Sequence, residues 1–149
     1  MRGDYLNAEG YPDPTAHRAV SKVTRNENIR KFMPLVYICS RYAADEKHSV
    51  EENVADAVRY SRFAVNQGCI PVTSHLLYPQ ILPDDDEECR KLGLFFGSVW
   101  LDIAKEIWIF SDGGYDAYSE GMKAEYKRAV KKGYKIRRFT EDLMEVQGC

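Results

Sequence analysis

The chain has 149 residues, enough for one domain with a sizeable core and short for two. Its 21 basic and 23 acidic residues leave a formal charge of −2, which gives no support for a nucleic acid polymer as partner. No apolar run approaches the roughly 20 residues that span a bilayer, and the start Met1 to Tyr5 lacks the apolar stretch of a secretion signal, so a cytoplasmic protein without a membrane partner is expected.

Residues 1 to 33 are polar, carry Pro12 and Pro14, and show a period only in a helical piece from Thr15 to Phe32. They are expected to form an N-terminal extension that packs on a neighbour or another subunit, with the organised domain covering residues 34 to 149. Leu35-Val36-Tyr37-Ile38-Cys39 is short, continuously apolar and rich in branched side chains, as in a strand covered on both faces. A polar loop, Ser40 to Asp45, follows. Ser49 and Glu52 then form a capping box for a helix whose Val50, Val54, Ala57, Val58, Ser61, Ala64 and Val65 make one face, closed by Gly68.

Cys69 to Thr73 reads as a second strand, and a long loop leads through His75, Tyr78, Pro79 and Gln80 to Asp84-Asp85-Asp86. Carboxylates there suit a helix start better than a metal site. The expected buried face of that helix is Cys89, Leu92, Phe96, Trp100 and Ile103, before a third strand at Glu106 to Phe110. A glycine-containing loop, a helix from Ser119 to Gly133 and a fourth strand, Tyr134 to Phe139, complete the series. Strands alternating with helices imply an α/β fold, a three-layer sandwich with a central parallel sheet of the open, Rossmann-like or flavodoxin-like kind. Ligands of such sheets sit beyond the carboxyl ends of the strands, where the loops Ser40 to Lys47, Ser74 to Gln80 and Ser111 to Gly121 gather.

Glu125 falls within the apolar stripe Met122, Tyr126, Ala129 and Val130, so its carboxylate is expected to face inward. A buried carboxylate is costly unless it is neutral, paired or placed beside a cleft where its chemistry is used. The competing reading pairs Glu125 with Arg128 on the helix surface. Ser119 has the side chain of a helix N-cap, and Gly121 permits a ligand to approach. Around this acid the loops offer Ser40, Arg41, Tyr42, His75, Tyr78, Asp112, Asp116 and Tyr118. Arg41 would hold a phosphate or lie on the surface, and His75 would move a proton or serve as a hydrogen-bonded structural residue.

The glycine spacings of dinucleotide and triphosphate loops are missing, as is a nucleophile elbow. A carboxylate among hydroxyls and rings suits sugar chemistry at an anomeric carbon. The cysteines Cys39, Cys69, Cys89 and Cys149 form no C-x-x-C pair, which argues against structural zinc and disulfides. Cys39, at the end of the first strand, is read either as a core residue or as a functional one.

The segments Val36 to Ser40, Pro71 to His75, Ile107 to Phe110 and Ser119-Glu120-Gly121-Met122-Lys123-Ala124-Glu125 resemble the nucleoside 2-deoxyribosyltransferase-like superfamily, and more closely an uncharacterised bacterial and phage branch of it. The resemblance spans about residues 34 to 139. It implies exchange or hydrolysis of the N-glycosidic bond of a deoxynucleoside or its 5-phosphate through a glutamate that forms a glycosyl-enzyme intermediate. By that match Glu125 is the nucleophile. Cys39, Ser40, Arg41 and Tyr42 fall in the first substrate loop, and Ser119, Gly121 and Met122 in the last motif.

Characterised members place an aspartate in the helix before the third strand, which helps protonate the departing base. Leu94 to Val99 contains no acid, so Asp112, Asp116 or His75 is the expected donor. The implied partner is a small-molecule nucleoside or nucleotide, with no metal and no organic cofactor. A homo-oligomer is also implied, with Phe95 and Trp100 as the interface guess against ordinary core aromatics. The missing aspartate keeps a second class open, a binding or sensing protein of the same fold without turnover.

Overall fold

The computed structural model describes residues 32–83 and 85–147. Phe32 and Met33 lie in neither helix nor strand, and the rest of the expected extension falls outside the described residues, as do Asp84 and Cys149. Four strands, β1 (Leu35–Cys39), β2 (Ile70–Val72), β3 (Glu106–Phe110) and β4 (Lys135–Phe139), form one sheet in the order β2-β1-β3-β4. Every pairing in it is parallel. Three helices, α1 (Val50–Asn66), α2 (Glu87–Ala104) and α3 (Glu120–Lys132), connect consecutive strands. The expected parallel α/β sandwich is therefore the observed one.

Alternation along β1 and β3 divides the core into two layers. Val36, Ile38, Trp108 and Phe110 pack with Phe139 of β4 against Tyr60 and Ala64 of α1. Tyr37, Cys39, Ile107 and Ile109 pack on the opposite face against Leu101 of α2 and Met122 and Ala129 of α3. The chain turns back past β1 between β2 and β3, so the sheet's direction of winding reverses between β1 and β3. Open sheets of this kind form a crevice at such a point.

Local signals account for the helix ends. Ser49 Oγ accepts a hydrogen bond from Glu52 N at 3.1 Å, and Glu52 Oε1 accepts one from Ser49 N at 3.3 Å, as the capping box predicts. Asp86 caps α2 by accepting from Glu88 N at 2.9 Å, and Gly133 ends α3 with φ 74°. β2 is a short edge strand that tolerates Pro71. Because Ile70 N–H bonds to Pro34 O toward β1, the next nitrogen, which carries no proton, faces away from the sheet.

Three expected faces are corrected. On α1 the buried residues are Asn53, Ala57, Tyr60 and Ala64, whereas Val58 is exposed. On α2 the buried residues are Gly97 and Leu101, and Leu92, Trp100 and Ile103 lie on the exposed side with Phe95 and Val99. Glycine faces the sheet at position 97 because the Tyr37 hydroxyl already fills the space beneath the helix there. On α3, Val130 of the expected stripe is also exposed, while Met122 and Ala129 are buried.

Candidate active site

A cleft of about 450 Å³ lies beyond the carboxyl ends of β1 and β2 and against the start of α3, within the roughly 300–1,000 Å³ typical of small-molecule sites. Its walls include Ser40 and Tyr42 after β1, Ser74, His75, Tyr78 and Pro79 after β2, Arg90, Gly93 and Leu94 on α2, and Ser119 to Met122 with Glu125 on α3. All three sequence-predicted loops thus contribute.

Glu125 is placed by helical geometry. Ser119 caps α3, its Oγ accepting from Met122 N at 3.3 Å, and Met122 and Ala129 turn the helix so that this face meets the sheet. One turn in, the Glu125 carboxylate reaches down to β1, where Tyr37 O–H donates to its Oε2. The Cys39 thiol, also from β1, is hydrogen-bonded to the same carboxylate. Glu125 keeps partial exposure because it forms part of the cleft wall. The surface pairing with Arg128 is not formed. Arg128 instead donates through Nε to Asp102 Oδ1 at 2.8 Å and through Nη2 to Oδ2, and Tyr134 O–H donates to Asp102 Oδ1 at 2.9 Å.

The electrostatics follow from burial. Desolvation pushes the Glu125 carboxyl up from 4.5 to about 7, while the hydrogen bonds from Tyr37 and Cys39 pull it the other way. Burial also raises the Tyr37 phenol and the Cys39 thiol well above their ordinary values, so both stay protonated and act as donors. Tyr37 Oη and Ser74 Oγ are 2.7 Å apart. With the phenol proton committed to Glu125, Ser74 is the donor of that second bond, giving a chain from Ser74 to Tyr37 to the carboxylate.

His75 Nε2 lies 3.0 Å from Ser40 Oγ, and burial brings its pKa down to about 4. The imidazole is therefore neutral at pH 7 and serves as a hydrogen-bonding group on the wall. Tyr42 packs tilted against it with centroids 6.2 Å apart. The loop carrying Tyr42 is tied down by Asn53 Nδ2, which donates to Tyr42 O and Ala43 O at 3.1 Å each. Tyr78 is held by Trp100, whose Nε1 donates to the phenol oxygen at 2.5 Å. Gly121 faces open space, since a Cβ built there meets nothing within 4 Å.

Several expected site residues are not brought to the cleft wall. Arg41 turns away to pair with Glu141 at 3.1 Å. Asp112 is exposed, and its Oδ1 accepts from Glu141 N at 2.8 Å, so it caps the segment after β4. Asp116 is exposed in the turn before α3 and is also absent from the wall. Cys39 lies fully buried beneath the carboxylate and does not face a ligand.

Tyr37, Ser74 and Arg90 were missed by sequence reasoning. A tyrosine within an otherwise apolar strand was the available signal for the first, because a buried phenol seeks a partner. Nothing local marks Arg90. Among the described residues no group of three or more His, Cys, Asp or Glu is arranged to hold a metal ion, and no helix is long and apolar enough to cross a membrane.

A family model described as "Domain of unknown function (DUF7768)" matches residues 34–139. No curated protein matches the chain. Among solved structures, the chain is similar to the 2-deoxyribosyltransferase of the psychrotolerant bacterium Bacillus psychrosaccharolyticus, characterised as a biocatalyst for nucleoside synthesis. The TM-score is 0.56 at 12% identity, over 76% of this chain and 77% of that one, and the likeness is one of fold.

Proposed function

The chain belongs to the family described as Domain of unknown function (DUF7768), and we propose from its cleft that it is an N-glycoside transferase or hydrolase acting on a (deoxy)nucleoside or nucleoside 5-monophosphate. The observation that carries this reading is the Glu125 carboxylate, held from below by Tyr37 and Cys39 and open above to a cleft of about 450 Å³. A carboxylate fixed in this way is a nucleophile in waiting. The fold shared with a 2-deoxyribosyltransferase supports it.

In the first step a Glu125 oxygen bonds to the anomeric carbon as the carbon–nitrogen bond breaks, and the electron pair leaves with the base. In the second step water or another base attacks the same carbon, its proton making up the one the departed base requires, the glycosyl ester opens, and the carboxylate returns with its charge. Tyr37 and Cys39 hold the carboxylate in place through both steps. Tyr42 and Tyr78 offer rings on which a base can stack. Neutral His75 with Ser40 hydrogen-bonds the departing base. Arg90 is the cation of the wall and the group for a 5-phosphate, the role given to Arg41 on sequence grounds.

The exposed apolar side of α2, with Leu92, Phe95, Val99, Trp100 and Ile103, supports a homo-oligomer in which a second copy covers this helix. A nucleotide ligand fits a cytoplasmic location.

The test is incubation with a panel of deoxynucleosides and their monophosphates, with free base measured. A 2-fluorinated nucleoside should leave a sugar adduct on the peptide carrying Glu125, detected by mass. Binding without release of base or adduct would replace this reading by the nucleotide-binding or sensing one.

A further inference from the structure

Gly97 stands in the middle of α2, where glycine costs about 1 kcal/mol relative to alanine, and it is buried. A Cβ built at this position would lie 2.8 Å from Tyr37 Oη, 3.3 Å from Ser74 Oγ and 3.7 Å from Ser74 Cβ. The first separation is closer than real Cβ contacts allow, so something would have to shift. The phenol is hemmed in on its other sides. Its ring is fully buried on β1, its proton goes to Glu125 and its oxygen meets Ser74 at 2.7 Å.

We propose that Gly97 is a positioning residue for Glu125: by carrying no side chain it lets α2 close over the Tyr37 hydroxyl and hold the chain Ser74–Tyr37–Glu125 in register. The residue touches neither the carboxylate nor a ligand, and it acts through the phenol. A methyl group at 97 would push the hydroxyl off the carboxylate, leaving Cys39 as the remaining donor from β1. The other ionisable groups around the cleft are Tyr42 after β1, His75 and Tyr78 after β2, Cys89 and Arg90 on α2, and Glu120 at the start of α3. None of these is hydrogen-bonded to Glu125. Because the Tyr37 bond favours the charged carboxylate, its loss makes Glu125 harder to ionise. The use of Glu125 as a nucleophile rests on the reaction proposed above, whereas its positioning through Gly97 and Tyr37 does not.

The experiment is a titration of the Glu125 carboxyl by carbon-13 NMR in the wild type, Gly97→Ala, Tyr37→Phe and the double variant. Gly97→Ala and Tyr37→Phe are each expected to raise the midpoint by about one pH unit, the order expected for a hydrogen bond to a charged group. The double variant is expected to match Tyr37→Phe alone, since without the hydroxyl the tight neighbour left to the methyl is Ser74 Oγ at 3.3 Å, which then has no link to the carboxylate. If Gly97→Ala alone fails to fold, the double variant is still expected to fold and to titrate like Tyr37→Phe.

An unchanged midpoint in Gly97→Ala overturns the proposal. So does a double variant that shifts by the sum of the two, or that also fails to fold. Should the titrations come out as expected while the wild type releases no base from any nucleoside, the positioning role stands and the proposed reaction falls.

Discussion

On the face of the sheet covered by α1, β1, β3 and β4 meet a stack of rings, whereas the face covered by α2 and α3 carries hydroxyls, a thiol and a carboxylate. The first layer is dense and apolar. Tyr60 stacks on Phe110 at 4.2 Å between centroids, Phe110 on Phe139 at 5.0 Å, and Phe63 meets Phe139 edge-on at 5.3 Å. The second layer holds Tyr37, Cys39 and Glu125, and a glycine where its helix comes closest. Neighbouring residues of one strand serve both layers, with Val36 and Ile38 facing the rings and Tyr37 and Cys39 facing the acid. One layer stabilises the domain, while the other tolerates an acid that burial opposes.

Removing the acid makes the second layer resemble the first. Glu125→Gln is expected to lower base release by at least about a thousandfold, as for loss of a nucleophile, and to stabilise the protein at the same time. The sign follows from the raised carboxyl. With 4.5 as its ordinary value and about 7 in the folded protein, the folded state holds the proton more tightly than the unfolded one. The burial cost is therefore absent below about pH 4.5, grows as pH rises, and is complete above about pH 7. Urea unfolding at pH 8 should find the Gln variant more stable by up to about 3 kcal/mol, and the advantage should vanish near pH 4. A variant that is less stable at pH 8 would show that the carboxylate is not held at a cost.

In the ring-packed layer the same measurement should move the other way. Phe110→Ala removes a ring that is 2% exposed and stacked on both sides, and it is expected to cost about 3–5 kcal/mol. Any turnover surviving at low temperature should keep its KM, because Phe110 forms no part of the cleft wall. The smallest effect concerns pH alone. A nucleophilic carboxylate must be charged, so kcat/KM is expected to rise with pH, with a midpoint near 7, and to fall about tenfold for each unit below it. A flat profile between pH 5 and 8 would remove Glu125 from the chemistry.

Much of this arrangement was legible where the signal is local. The apolar run of β1, the capping box at Ser49 and the Ser119 cap report on atoms a few residues apart, and each element lies where these signs place it. The inward side of Glu125 was legible for the same reason, since a four-residue stripe defines a helix face. The α2 face was misread because periodicity weighs apolar bulk and the bulky residues turn outward there. What sets the contact is the size of Tyr37, contributed by a strand about sixty residues earlier. Arg41 and Asp112 were misplaced because Glu141 draws both away, and no local pattern links a loop arginine to an acid beyond β4. The Tyr37–Glu125 bond joins positions 88 apart in sequence, beyond the reach of any periodic argument.

The margins of the sheet have a consequence for how the chain behaves in concentrated solution. At β2 the outward-facing nitrogen belongs to Pro71, which has no proton to offer an incoming strand. At β4 the following segment folds back on the strand, bridging Phe139 with Glu145 and bonding Val146 N to Arg138 O at 2.8 Å. Neither border is a ready template for edge-to-edge polymerisation, so the protein is guarded against amyloid-type growth along its sheet.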